Sequence, residues 1–183
     1  MDVLETLRTR RTVGAFTAEP PPMEQIERAI EAATWAPNHH LTEPWRFHVV
    51  TGAARAAVAR AAGETLPPER DTDEERQAMR AKFERAPVLL VVTQAGGAPD
   101  AVRDLEDYAA CAVATQNLLL AAHAQGLAAK WSTGKLAHSE GVRRYLGLGE
   151  RDRIVAFVYL GYAALDIAPD PRRSPPVVTR YGE

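Results

Sequence analysis

Apolar residues recur along this chain with two periods, one helical and one extended. Met23, Ile26, Ile30 and Ala33 repeat at helical spacing after Pro20-Pro21-Pro22 and stop before Pro37, predicting a helix bounded by proline at both ends. Val3, Leu4 and Leu7 predict a shorter helix that ends around Arg11. Trp45 to Thr51, reading WRFHVVT, is rich in β-branched and aromatic residues and predicts a strand. Pro87 to Thr93 is a continuous apolar run, the pattern of a strand buried on both faces. Between them, Ala53 to Ala62 predicts a helix, and Thr72-Asp73-Glu74-Glu75 fits a capping box opening a second helix inside the charge-dense stretch 64–85. That stretch reads as a solvated helix, with a position between core elements that could also make it a rim over a site.

The longest predicted helix runs from about Val102 to Gln125 and is stopped by Gly126. From Tyr108 to Ala124 it is apolar nearly all round, relieved mainly by Thr115, Gln116, Asn117 and His123. A helix without a polar face needs cover on both sides, and in a chain this small the second cover is expected to be another subunit. A short strand at Ala128 to Ser132, a helix from Ser139 to Tyr145 and a strand at Ile154 to Gly161 follow. The tail around Asp170 to Pro176 is too proline-rich for helix, and Val177-Val178-Thr179 could add a strand elsewhere. Neither a repeat nor a composition shift divides the chain, so 1–183 reads as one domain.

Composition narrows the function. The 183 residues are 46% apolar and 25% charged, a globular balance with room for a real core. A formal net charge of −2 argues against a dedicated nucleic-acid or anionic-membrane binder, since no sustained basic field would attract either. The single cysteine, Cys111, leaves no internal disulfide and suits a reducing cytosol. Set mid-helix among alanines, it reads as a small buried hydrophobe. The opening Met-Asp-Val-Leu-Glu lacks a basic region followed by an apolar run, and no apolar stretch reaches spanning length. A cytoplasmic location is expected.

Three patches could carry chemistry. Arg10 and Arg11 would diverge by about 100° on a continuing helix. They converge on one anion only if the helix ends there, where guanidinium forks and the Thr12 hydroxyl suit a phosphate. Two solvated arginines favoured by the helix dipole are the alternative. The loop from Pro37 to Pro44 packs Asn38, His39, His40, Thr42 and Glu43 between two prolines, presenting donors and acceptors to a polar ligand or merely to solvent. A metal at His39-His40 is not expected, because adjacent histidines rarely face one ion and no cysteine or helical histidine follows at ligand spacing. Third, Lys130-Trp131-Ser132-Thr133-Gly134 ends a buried strand in small residues, where backbone N–H groups can approach a ligand.

Taken in order, these patches resemble the nitroreductase family over essentially the whole chain. The shared pattern is Arg-Arg-Ser/Thr after the first helix, the Ala36-Pro37 to Pro44-Trp45 loop, the Gly126-Leu127 to Trp131-Ser132-Thr133-Gly134 turn, and Val155-Ala156-Phe157-Val158-Tyr159-Leu160-Gly161. The nearest likeness is to the short, single-domain branch of NAD(P)H-dependent nitroreductases. The resemblance implies an α/β (α+β sandwich) fold: a central, mainly antiparallel sheet flanked by helices, in an intertwined homodimer with two FMN sites at its interface. It further implies that Arg10, Arg11 and Thr12 hold the phosphate and ribityl end of FMN. Trp131, Ser132, Thr133 and Gly134 would line the isoalloxazine. His39 and Glu43 would come from the partner chain, Arg172 or Arg173 would add a phosphate contact, and Ala121, Ala122, His123, Ala124, Gln125 and Gly126 would meet NADH or NADPH. Nitroaromatic, quinone or similar acceptors would be reduced in ping-pong fashion. A flavin-binding or redox-sensing protein without turnover is the alternative, and an enone or halogenated aromatic is a further acceptor class.

Two residues depart from the family pattern. Glu43 stands where glutamine is usual, and an ionised glutamate can only accept hydrogen bonds. Gly14 stands where many relatives have a lysine near flavin N1. An added negative charge 4–6 Å from a reduced flavin costs roughly 3–4 kcal/mol at an effective dielectric near 20. For a two-electron couple that lowers the potential by roughly 60–90 mV.

Overall fold

The structure is a computed structural model describing residues 2–64, 66–166 and 174–182, with only the backbone of Lys135. In chain order the elements are α1 (Val3–Thr9), α2 (Met23–Thr34), β1 (Trp45–Thr51), α3 (Ala53–Gly63), α4 (Asp73–Glu84), β2 (Val88–Gln94), α5 (Ala101–Ala124), β3 (Ala128–Ser132), α6 (Glu140–Tyr145) and β4 (Arg153–Gly161). The four strands form one sheet in the order β1-β2-β4-β3, antiparallel at every pairing. Helices cover both faces. Ile26 and Ala29 of α2 and Ala110, Ala114 and Leu118 of α5 pack with Leu90 and Val158 on one side. Val58 of α3, Phe83 of α4 and Val142 of α6 pack with Leu89 and Tyr159 on the other.

Local chemistry sets the boundaries. The Asp2 carboxylate accepts from the N–H groups of Leu4 and Glu5 to start α1, and Asp100 does the same for Val102 and Arg103 at the start of α5. Thr72 accepts from the Glu75 N–H, as the capping box predicts. Gly126 ends α5 at φ 80, a left-handed conformation that favours glycine. The apolar run of β2 is buried at all its positions because helices cover both faces of the central strands. The first helix stops at Thr9 rather than near Arg11, and Arg10 turns extended at ψ 131.

The long helix is covered unevenly. A single chain covers only one face of α5, with α2 and the sheet over Ala110, Cys111, Ala114, Leu118 and Ala122. The opposite stripe is bare, with Val102 69% and Leu105 66% exposed. The tail residues Val177-Val178-Thr179 join no strand among the described residues.

Candidate functional site

The chain that leaves α1 is drawn alongside β3. The Val13 N–H donates to the Ala129 carbonyl at 3.1 Å, and Thr12 bridges Ala129 in parallel sense. This pairing puts Arg10, Arg11 and Thr12 against the outer edge of β3, whose far end carries Trp131, Ser132, Thr133 and Gly134. About four residues of strand separate the two ends of this groove, or roughly 13 Å at 3.3 Å per residue. The arginines sit where the helix has already ended, so their side chains are not forced apart by helical geometry.

Arg11 serves two roles there. Its Nη1 donates to the Arg8 and Arg10 carbonyls at 2.6 and 2.9 Å, satisfying carbonyls at the end of α1. Its Nε is buried and meets no acceptor among the described residues. A buried, cationic donor without a partner is costly, and an anion at this edge would satisfy it. Close by, His123 Nε2 lies 2.9 Å from the Thr9 hydroxyl. Burial, then the cationic fields of Arg10 and Arg11, hold its imidazole below the usual histidine range. At the other end, Gly134 adopts φ 85 with open space where a Cβ would project. Beyond it lies an open cavity of about 980 Å³, walled by Thr133, Gly134, Tyr108, Asp104, Arg143 and Arg153.

The proposed nicotinamide segment is mixed. Ala122 is fully buried in the core, and the Gln125 amide is tied to the Gln25 carbonyl of α2 at 3.2 Å. Ala124 and Gly126 are exposed, while Ala121 and His123 are half-buried. Arg172 and Arg173 lie outside the described residues.

The second patch sits elsewhere. The Pro37–Pro44 loop leads into β1, at the opposite edge of the sheet from β3. Three strand spacings, about 14 Å, separate those edges. Side-chain hydrogen bonds hold the loop. Asn38 Oδ1 accepts from the Glu43 N–H at 2.8 Å, and the Thr42 hydroxyl donates to Asp107 of α5 at 2.6 Å. Leu41 and Glu43 take φ 52 and 44, left-handed values that cost a non-glycine residue about 1 kcal/mol or more. The His39 and His40 rings stack at 4.2 Å and face Glu106 of α5, while the Glu43 side chain points to solvent.

Sequence reasoning missed Glu106 and Asp107. Their one signal was a charged opening, Arg103-Asp104 and Glu106-Asp107, of a helix that is apolar beyond it, and nothing local said which loop they meet. Asp107 is buried and holds Thr42; its charge and burial together push the Cys111 thiol up to about 12, burial contributing most. Cys111 is therefore an inert packing residue, as expected.

Fold and site together define an α+β domain with helices on both faces of an antiparallel sheet, in which the segment carrying Arg10, Arg11 and Thr12 runs beside the edge strand β3. The Nitroreductase family model matches residues 7–162, and the chain belongs to the nitroreductase family. It is 33% identical over 182 residues to Bacillus subtilis YfhC, whose name assigns it provisionally to the NAD(P)H nitroreductases; the match covers 98% of this chain and 92% of that protein. Among solved structures, a nitroreductase-like protein from Bacillus cereus superposes with a TM-score of 0.86 at 28% identity, covering 96% of this chain and 92% of the other. A nitroreductase from Bacteroides fragilis with bound FMN superposes with a TM-score of 0.78 at 25% identity, covering both chains fully at 100%.

Proposed function

We propose that the protein is an FMN-dependent oxidoreductase that takes electrons from NADH or NADPH and passes them to a nitroaromatic, quinone or similar acceptor by ping-pong turnover. The observation that carries this is the convergence of Arg10, Arg11 and Thr12 on the edge strand that ends in Trp131-Ser132-Thr133-Gly134. FMN held here would supply the redox chemistry between the nicotinamide and the acceptor. The residues bind and orient. Arg10, Arg11 and Thr12 hold the phosphate, with the Arg11 Nε finding there the acceptor it lacks in the chain alone. Trp131, Ser132, Thr133 and Gly134 lie along the ring system, and the open space over Gly134 leaves the backbone approachable. The family resemblance assigns Arg172 or Arg173 a further contact to the phosphate; both lie outside the described residues. Within Ala121–Gly126, the accessible Ala121, His123, Ala124 and Gly126 are the nicotinamide contacts. The cavity beside Gly134 receives the acceptor.

The working unit in this reading is a cytoplasmic homodimer. The bare stripe of α5 and the exposed Val3, Leu4 and Leu7 of α1 supply an apolar interface, and Leu41, 83% exposed, extends it. His39 and Glu43, a sheet's width from their own chain's groove, then serve the partner's flavin.

Purified protein mixed with FMN and NADH or NADPH without oxygen tests this. Bleaching of the flavin, followed by reoxidation with a nitroarene, is the expected result. A yellow protein that stays yellow is a binder without turnover, and a colourless one that refuses FMN overturns the reading.

A further inference from the structure

Two turns distant in sequence wall the cavity beside Gly134. One follows β2 and carries Gly97 and Pro99; the other precedes β4 and carries Arg151 and Arg153. Asp152 joins them. Its Oδ1 accepts from the Gly96 N–H and its Oδ2 from the Gly149 N–H, both at 2.7 Å. One oxygen thus shapes the residue's own turn, and the other reaches across to its neighbour. These charge-assisted bonds hold the carboxyl below the usual carboxylate range, the Gly96 N–H contributing most, while burial opposes them. The turn before β4 is fastened in addition to α6. There the Arg143 guanidinium donates to the carbonyls of Asp152, Gly149 and Glu150 at 2.7, 2.8 and 3.1 Å. The turn after β2 lies directly against it. A Cβ on Gly96 would stand 2.3–2.5 Å from the Arg151 carbonyl and Cβ, so no side chain fits. A second tie, Arg153 to Asp104 of α5 at 2.6 Å, joins more exposed side chains and contributes less.

We propose that Asp152 is the positioning residue of the acceptor site: it fixes the spacing of the two turns, and with it the width of the cavity, before an acceptor arrives. This rests on the reading that the cavity beside Gly134 receives the acceptor. Asp152 acts through the cavity walls and needs no contact with the reacting atoms. Walls held in advance spare the acceptor the cost of ordering them, and a displacement of about 1 Å is enough to loosen a site whose supports are lost. The segment with Arg10, Arg11 and Thr12 pairs at Ala129, near the other end of β3. Loss of Asp152 should therefore weaken the acceptor step while leaving flavin retention and reduction by the nicotinamide as they are.

The experiment measures the two half-reactions of the FMN-loaded full chain separately, with nitrobenzene as the acceptor. In Asp152→Ala the KM for nitrobenzene should rise about tenfold or more, the scale of one lost hydrogen bond to a charged group. The rate at which NADH or NADPH bleaches the flavin without acceptor should stay that of the parent. Asp152→Asn, whose amide oxygen can take only one of the two N–H groups, should fall between. Gly96→Ala keeps the carboxylate but pushes the walls apart, so its KM should rise as well. Thr72→Ala removes the cap of α4, outside the cavity, and should lower Tm without moving KM, which separates positioning from stability. Circular dichroism establishes that each variant is folded; if Asp152→Ala is not, Asp152→Asn decides. An unchanged KM in a folded variant, or a KM change matched by equally slowed bleaching, overturns the proposal. A parent chain that takes up no FMN, or is not bleached, fails the flavin reading and this inference with it. A parent that turns over while the variants keep its KM fails this inference alone.

Discussion

The two edges of the sheet build their polar sites by different means. At β3 the backbone does the work: a helix ends, the chain pairs with Ala129, and two arginines and a threonine are delivered to a strand edge. At β1 side chains do it: Asn38, Thr42 and Asp107 hold a loop in which two non-glycine residues are left-handed. The first arrangement follows from the order of secondary structure and tolerates change in its neighbours. The second depends on a few contacts between residues distant in sequence, and one substitution can release it.

The largest expected effect is at β3. Hydrogen bonds to charged groups contribute about 1.5–3 kcal/mol each, so Arg10→Ala with Arg11→Ala should weaken FMN by about 3–6 kcal/mol, or about a hundredfold to ten-thousandfold. Quenching of flavin fluorescence on titration measures it, and unchanged affinity would move the phosphate elsewhere. Mixing that double variant with His39→Ala sharpens the comparison. If the β1 loop serves the partner's flavin, mixed dimers regain one intact site, and activity in the mixture exceeds that of either variant alone.

Next comes Glu43→Gln, expected to raise the FMN midpoint potential by up to roughly 60–90 mV. Glu43 is exposed in the single chain, so a shift of that size requires the partner to cover it. No shift in a redox titration would leave Glu43 solvated and remove the β1 loop from the flavin.

Thr42→Val should cost about 1–3 kcal/mol by leaving the buried Asp107 carboxylate without its donor. For a domain of this size each kcal/mol lowers Tm by about 2–4 °C. A Thr12→Val variant at the exposed β3 edge should leave Tm nearly unchanged, and equal losses at both sites would erase the contrast between edges.

The smallest effect is a titration. Burial and the fields of Arg10 and Arg11 hold the His123 imidazole below its ordinary value of 6.5. An anion bound at those arginines offsets their field, so the His123 pKa should rise when phosphate or FMN is added, as followed by NMR. A folded pKa below the unfolded one also has a stability consequence. The unfolded state binds the proton first, so the contribution is present above pH 6.5 and is lost as pH falls from there through the folded pKa. His48, lowered by burial, loses stability in the same direction. His123→Gln should flatten the acid limb of a Tm-versus-pH curve.

What could be read from the sequence follows the same division. Helix α2 between its prolines, the capping box at Thr72, the buried run of β2 and the glycine stop after α5 are local signals, each decided by neighbours within a few residues. The end of the first helix and the end of strand β3 were legible too, whereas the pairing of Thr12 with Ala129 that joins them is a long-range contact that no local signal describes. The β1 loop was legible as polar but not in what it touches. Thr42 meets Asp107, and the stacked histidines meet Glu106, across more than sixty positions of intervening chain that no periodicity describes.

The strand order carries a consequence for how the protein comes into being. The two central strands, β2 and β4, are separated in sequence by the whole of α5, β3 and α6. The strand that joins the two edges follows every other named element along the chain. Until it arrives, β2 has a free edge and β3 has no sheet to belong to. Ordering the intervening chain must precede the reward of pairing, which slows folding and leaves an apolar strand uncovered meanwhile. A nascent chain of this design is most exposed to aggregation just before its last strand closes the sheet.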